Sequence, residues 1–167
     1  MMARLDEEVA MSLPATAEEV WPHIEKWPFA VLSFVTPKGE SRSAGVMYRV
    51  RGRKLYVLTG AETWKSRHIR HNPNVSVTVT VPRLPIRLRQ VPPAVISFSG
   101  VATVLGMGEI DAGLRSDLTR GTGEMANSCV IEIAPVGRFV TYGIGIPALQ
   151  MRHPEKSISR VPVWEGA

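Results

Sequence analysis

The chain has 167 residues, 44% of them hydrophobic and 21% charged, with 20 Lys+Arg against 15 Asp+Glu and a formal net charge of +5. That balance suits one folded domain with a real core and excludes a disordered or simply basic chain. A single cysteine, Cys129, allows neither an intrachain disulfide nor a thiolate cluster for structural zinc.

Residues 1–10 are acidic where a secretory signal would be basic and then apolar, and no apolar run approaches the ~18 residues that cross a bilayer. The expectation is a cytoplasmic protein with a polar leader over about 1–15. Thr16-Ala-Glu-Glu19 has the form of a capping box, and Val20, Trp21, Ile24 and Trp27 follow at helical spacing until Pro28. A short amphipathic helix over about 16–27 results, with Pro22 a point for a kink. Runs at 30–36, 43–50 and 54–59, separated by the turns Pro37-Lys-Gly-Glu40 and Arg51-Gly-Arg53, read as an antiparallel meander. Residues 62–71 read as helix and stop at Asn72-Pro73. Val75, Val77, Val79 and Val81 then alternate with Ser76, Thr78 and Thr80, a strand with one apolar and one hydroxyl face.

Residues 82–93 hold prolines at 82, 85, 92 and 93 with Arg83, Arg87 and Arg89, which predicts an exposed loop. Strand resumes over 95–105, with Gly100 a bulge or a point of close packing. Residues 107–118 have helical composition and 119–127 read as loop. Two last strands are expected at 129–134 and 137–142, then an irregular Gly- and Pro-containing tail over 143–167. The sum is a mainly β (α+β) single domain, a six- or seven-stranded antiparallel barrel with short helices.

The charge is unevenly spread. From Lys38 to Arg89 there are 12 basic residues against two acids, so that segment carries +10 and the remainder −5. Such asymmetry points to an anionic partner. Within it, a strand ends at Thr59, a glycine turn follows, and a helix opens near Thr63 with Lys65 and Arg67 in its first turns. Unpaired backbone N–H groups, two hydroxyls and a cation at one helix start make a phosphate site. Lys and Arg there oppose the helix macrodipole by up to ~1 kcal/mol, a term that a bound dianion reverses. The bland alternative is an ordinary Thr63 cap with solvated cations.

Leu58-Thr59, Thr63-Trp64-Lys65 and Asn72-Pro73-x-Val75-Ser76-Val77 resemble the signature of the pyridoxamine 5'-phosphate oxidase-like flavoproteins. These are split β-barrels that include deazaflavin (coenzyme F420)-dependent reductases. The hairpin from Gly39 to Arg49 resembles that family's second strand, and the resemblance runs from about Trp27 to Tyr142. It implies that Thr59, Thr63 and Lys65 hold a cofactor phosphate with Trp64 beside them, and that Gly45, Val46, Met47 and Tyr48 lie along the isoalloxazine edge. Arg49 falls where the oxidase motif ends this strand on a basic residue. The sequence departs from the oxidases at Ala44, where they have an arginine and the nearest here is Arg42. It also lacks their glutamine near Val95 and their C-terminal recognition set, Trp164 being almost terminal. Oxidation of pyridoxamine phosphate itself is therefore not expected.

The resemblance implies a homodimeric oxidoreductase that binds FMN at the subunit interface and acts on a small organic substrate, with F420 as the alternative cofactor. A cofactor that carries the electrons needs no protein nucleophile, and no Ser-His-Asp set or G-x-S-x-G elbow occurs. No catalytic acid or base is assigned; Tyr48 and Tyr142 are candidates for proton donation or plain core residues. Arg83, Arg87 and Arg89 either solubilise their loop or attract an acidic group to the cofactor mouth. His68 and His71 have the look of a haem or metal pair, but two histidines without a third ligand fit a surface or packing role. Met47 reads as a core or ring-packing residue, and Cys129 as buried. The rival class is a non-catalytic barrel that binds flavin, haem or nucleic acid. For the last of these the basic segment lacks interleaved aromatics, holding only Tyr48, Tyr56 and Trp64.

Overall fold

The computed structural model describes residues 12–82, 92–120, 123 and 126–164. Arg83, Arg87 and Arg89 lie outside the described residues. Helix α1, Ala17–Lys26, starts at a capping box whose Glu19 carboxylate accepts from Ala15 N at 2.6 Å and Thr16 N at 3.1 Å. Its apolar stripe, Ala17, Val20, Trp21 and Ile24, is buried, and Pro22 sits within the helix without ending it.

Strands β1 (Phe29–Val35), β2 (Ser41–Met47), β3 (Arg49–Arg51) and β4 (Lys54–Gly60) precede helix α2 (Trp64–His71). Strands β5 (Asn74–Val81) and β6 (Ala94–Gly106) lead to helix α3 (Ala112–Thr119), strand β7 (Ser128–Tyr142) and the short β8 (Ile158–Pro162). The sheet is antiparallel throughout, in the order β2-β1-β5-β6-β7-β4-β3, with β8 added against β7. Its two edge strands, β2 and β3, are consecutive in sequence and joined by Tyr48 alone. A sheet whose first and last strands share one connecting residue must curl until its ends meet, and this one forms the split barrel that the sequence predicts.

Four elements differ from the sequence reading. The run 43–50 is two strands, because Tyr48 leaves the ladder: its N–H donates to Pro28 O at 3.0 Å. The two strands expected at 129–134 and 137–142 are the single long β7. Between Ser97/Val140 and Ser99/Val136 its register with β6 shifts, and Gly137, at φ +72°, takes up the bend that the sequence suggested as a break. Helix α3 begins later than 107, where Asp111 caps it by accepting from Leu114 N at 3.0 Å. The tail contains two 3-10 turns, Ala148–Arg152 and Pro154–Lys156, and β8, which hydrophobic periodicity did not reveal.

Gly100 is a point of close packing, while the β6 irregularity falls earlier, between Ser97 and Ser99. A Cβ at position 100 would stand 2.8 Å from Ile133 Cγ2 and 3.2 Å from Ala134 O. The main core joins the inner faces of the strands to α1: Leu32, Phe34, Val77, Val79, Ile96, Ile131 and Phe139 pack with Val20, Trp21 and Ile24. On the other side of β7, Val130 packs with Ile110 and Leu114 beneath α3, a second small cluster that reaches Leu58 and Leu118. Cys129 is buried, as expected.

Candidate functional site

Where the barrel is split, two strand edges lie without a neighbour along part of their length. β2 pairs only with β1, and β3 leaves β4 at the Arg49/Tyr56 pair, so β4 beyond Tyr56 has β7 on one side alone. The two open edges flank an open cavity of about 500 Å³. Gly45, Val46 and Met47 line it from β2, Tyr48 and Arg49 from the crossing, and Val57 and Leu58 from β4. Lys65 enters from α2, and Leu118 and Arg120 from the end of α3.

Each wall is positioned by its own local chemistry. Tyr48 is buried and its hydroxyl lies 2.7 Å from both Ile24 O and Trp27 O, so it donates to carbonyls that the end of α1 leaves without intrahelical partners. Burial also raises its pKa above the ordinary phenol value; the commitment of its hydroxyl to those carbonyls is what makes it a structural anchor. Gly45 gives room to the Phe29 ring, whose Cζ would lie 3.0 Å from an added Cβ. Met47 is 57% exposed and lines the cavity, so of its two readings the core one fails. Lys65 is the second residue of α2, behind the cap Thr63.

Thr63, Thr59, Trp64, Arg67 and Arg42 do not line this cavity. The Thr63 hydroxyl is taken up by its own turn: it lies 3.0 Å from Gly60 O and 2.8 Å from Ser66 Oγ, and it caps Ser66 N. Thr59 is buried opposite Cys129 in the β4/β7 ladder. Trp64 packs on Phe34 at 5.1 Å and meets His68 edge-on at 6.3 Å. Arg67 is exposed, and Arg42 pairs with Glu40 at 2.9 Å in solvent. Val57, Leu118 and Arg120 line the cavity without a sequence signal, since only the packing of α3 onto β4 brings 118 and 120 there.

The electrostatics favour an anion. Among the described residues neither Arg49 nor Lys65 has a carboxylate within ion-pair distance, and α2 has no acid in its first turn. Arg120 pairs with Asp117 at 3.1 Å on the surface. Apolar walls at Val57, Leu58 and Leu118 lower the local dielectric and lengthen the reach of these charges. The phenol of Tyr56, outside the cavity, donates to Glu132 at 2.9 Å; burial first, then that hydrogen bond and the Glu132 charge, push its pKa up to about 12. Tyr142 is likewise engaged, donating to Met151 O at 2.6 Å. Among the described residues no three His, Cys, Asp or Glu side chains come together as a metal site, and His68 stacks obliquely on Phe34 at 6.1 Å. No helix among them is long and apolar enough to cross a membrane.

Beside the cavity, the outer face of the sheet carries two rows without charge from β2 to β7, with the exposed Arg138 between them on β7 and Arg160 continuing the first row on β8. Gly45, Val31, Thr78, Ser97 and Val140 pair across five strands, as do Ser43, Ser33, Ser76, Ser99 and Val136. Phe29 and Val31 are exposed on it at 47% and 37%.

No family model matches the sequence, and no curated protein sequence does. Solved structures do share the fold. A candidate pyridoxamine 5'-phosphate oxidase from Listeria innocua superposes with a TM-score of 0.57 at 20% identity, over 71% of this chain and 92% of that one. A structure described as an F420 reductase gives 0.54 at 18% identity, over 71% and 93%. A heme-binding protein from Mycobacterium smegmatis gives 0.69 at 16% identity over 90% of this chain, which spans 59% of that protein's length. The split-barrel fold implied by the resemblance in the sequence is thus the fold of this chain, and its structural neighbours are proteins of the pyridoxamine 5'-phosphate oxidase-like fold.

Proposed function

We propose that this chain is a flavin-dependent oxidoreductase that binds FMN in the cavity between β2 and β4. The observation that carries the reading is the junction of two open strand edges with two cations, Arg49 and Lys65, that have no carboxylate partner among the described residues, around one apolar-walled opening. An isoalloxazine ring presents carbonyl oxygens and ring N–H groups along one edge and is apolar on its faces. The free backbone edge of Gly45–Met47 suits the first, and Val57, Leu58 and Leu118 suit the second. The phosphate falls to Lys65, helped by Arg49. Thr63 supports it indirectly, since its cap sets the position of Lys65.

Bound FMN supplies hydride and electron transfer, so the protein's part is binding, orientation and exclusion of water. The apolar walls exclude water, and the anchored Tyr48 holds the crossing between β2 and β3 at a fixed height. The small-residue rows on β2, β1, β5 and β6 of the neighbouring sheet face support a second copy of the chain as the cover for the open side, and the resemblance in sequence implies a cofactor at such an interface. The structural similarity to an F420 reductase supports coenzyme F420 as the second reading.

Absorption titration of the purified protein with FMN, F420 and haem tests the assignment. FMN binding with a red-edge spectral shift is expected. Lys65→Ala should weaken FMN by about 1.5–3 kcal/mol, the scale of a hydrogen bond to a charged group, and leave riboflavin unchanged. Equal FMN affinity in the variant removes Lys65 from the phosphate site. No response to any of the three, with salt-sensitive binding to DNA or RNA, replaces the reading by its nucleic-acid rival.

A further inference from the structure

The third cation of the cavity has no place in the reading above. Arg49 comes from β3, Lys65 from α2 and Arg120 from the end of α3, so three separate elements each bring one positive group to the same opening. Of the three, Arg120 alone has an acidic partner among the described residues. Its Nη2 lies 3.1 Å from Asp117 Oδ1, with the two side chains 76% and 51% exposed. A solvent-exposed pair three residues apart on one helix is weak and screened, whereas guanidinium hydrogen bonds to a phosphate or carboxylate in a partly apolar cavity are strong. An anion in the cavity therefore competes well for this guanidinium. Leu118, between the two residues, packs with the cluster beneath α3 and lines the cavity, which fixes the end of the helix against it.

We infer that Arg120 is an anion-recognition residue of this cavity, which exchanges Asp117 for an acidic group of the bound ligand. The inference rests on the cavity being the ligand site and extends it. It adds a residue from a third element, and it gives the site an internal competitor that admits ligands carrying a dianion in preference to neutral ones. The opposing account is that Arg120 merely complements the negative end of α3, as cations at helix C-termini do. In that case its loss affects the helix and not the ligand.

The two accounts separate by titration of the wild type, Arg120→Ala, Asp117→Asn and the double variant. The probes are FMN and riboflavin, read by flavin fluorescence quenching, and inorganic pyrophosphate, read by calorimetry. Arg120→Ala should weaken FMN and pyrophosphate about tenfold and leave riboflavin within about twofold. Asp117→Asn should tighten FMN about two- to fivefold, and the double variant should lose that gain. Unchanged FMN and pyrophosphate affinity in Arg120→Ala, an equal loss for riboflavin, or a gain from Asp117→Asn that survives without Arg120 overturns the inference. Arg120-dependent pyrophosphate binding without any flavin binding overturns the flavin reading and leaves this inference standing. A wild type that binds neither FMN nor pyrophosphate overturns both.

Discussion

Tyr48 holds the split of the barrel at the level of one residue. Its ring is buried, its N–H leaves the β-ladder for Pro28 O, and its hydroxyl serves the end of α1. Tyr48→Phe keeps the ring and strands buried carbonyl oxygens, so it should cost about 1–3 kcal/mol in urea denaturation. FMN affinity should change little, because the hydroxyl faces the helix; a large loss of affinity with full stability would contradict the anchoring role. Sequence alone left Tyr48 open between core and proton donor, since a tyrosine's partner 24 residues away carries no local signature. His23 shows the same dependence on surroundings. Burial, and then the nearby Lys26 charge, hold its pKa below the ordinary histidine value. A pKa lowered by folding contributes stability that is present above about pH 6.5, the unfolded value, and is lost as pH falls through the folded value. Urea midpoints should therefore drop between pH 7.5 and pH 5, and His23→Gln should flatten that drop.

Helix α2 is the element on which the binding reading turns. Its sequence has the form of a phosphate site, yet Thr63 spends its hydroxyl on Gly60 O and Ser66, and Trp64 turns to Phe34. What remains for a ligand is Lys65, held in place by the cap. Thr63→Ala should cost about 1–2 kcal/mol of stability, as loss of an N-cap does, and should weaken FMN through Lys65 more than it weakens riboflavin. Parallel titrations of the two flavins with the variant check this; equal losses would place Thr63 at the ring instead. The spacing Thr63-Trp64-Lys65 was legible in the sequence, but not which of the three faces the cavity. That choice follows from Phe34 and Cys129, strand residues that give Trp64 and Ser66 their packing partners.

For the whole molecule, the small-residue rows on β2, β1, β5 and β6 are the part of the sheet face that a second copy would cover. Rows of serine, threonine, glycine and valine with exposed Phe29 and Val31 suit a flat contact with a second copy. Val31→Glu puts a charge in the middle of that face; sedimentation should show a dimer for the wild type and a monomer for the variant, with native circular dichroism and weaker FMN binding. A wild-type monomer that binds FMN at full strength would refute the interfacial site. Local pattern by itself determined α1, the β5 alternation, the capped start of α2 and the antiparallel class, because each depends on periodicity, caps and turn residues within a few positions of one another. Only the tertiary structure decided that β2 and β3 are the sheet's two edges, that 128–142 is one strand bent at Gly137, and that Arg120 shares a cavity with Lys65. Those facts depend on how a curled sheet brings distant residues together, and charge or spacing along the chain carries no record of that closure.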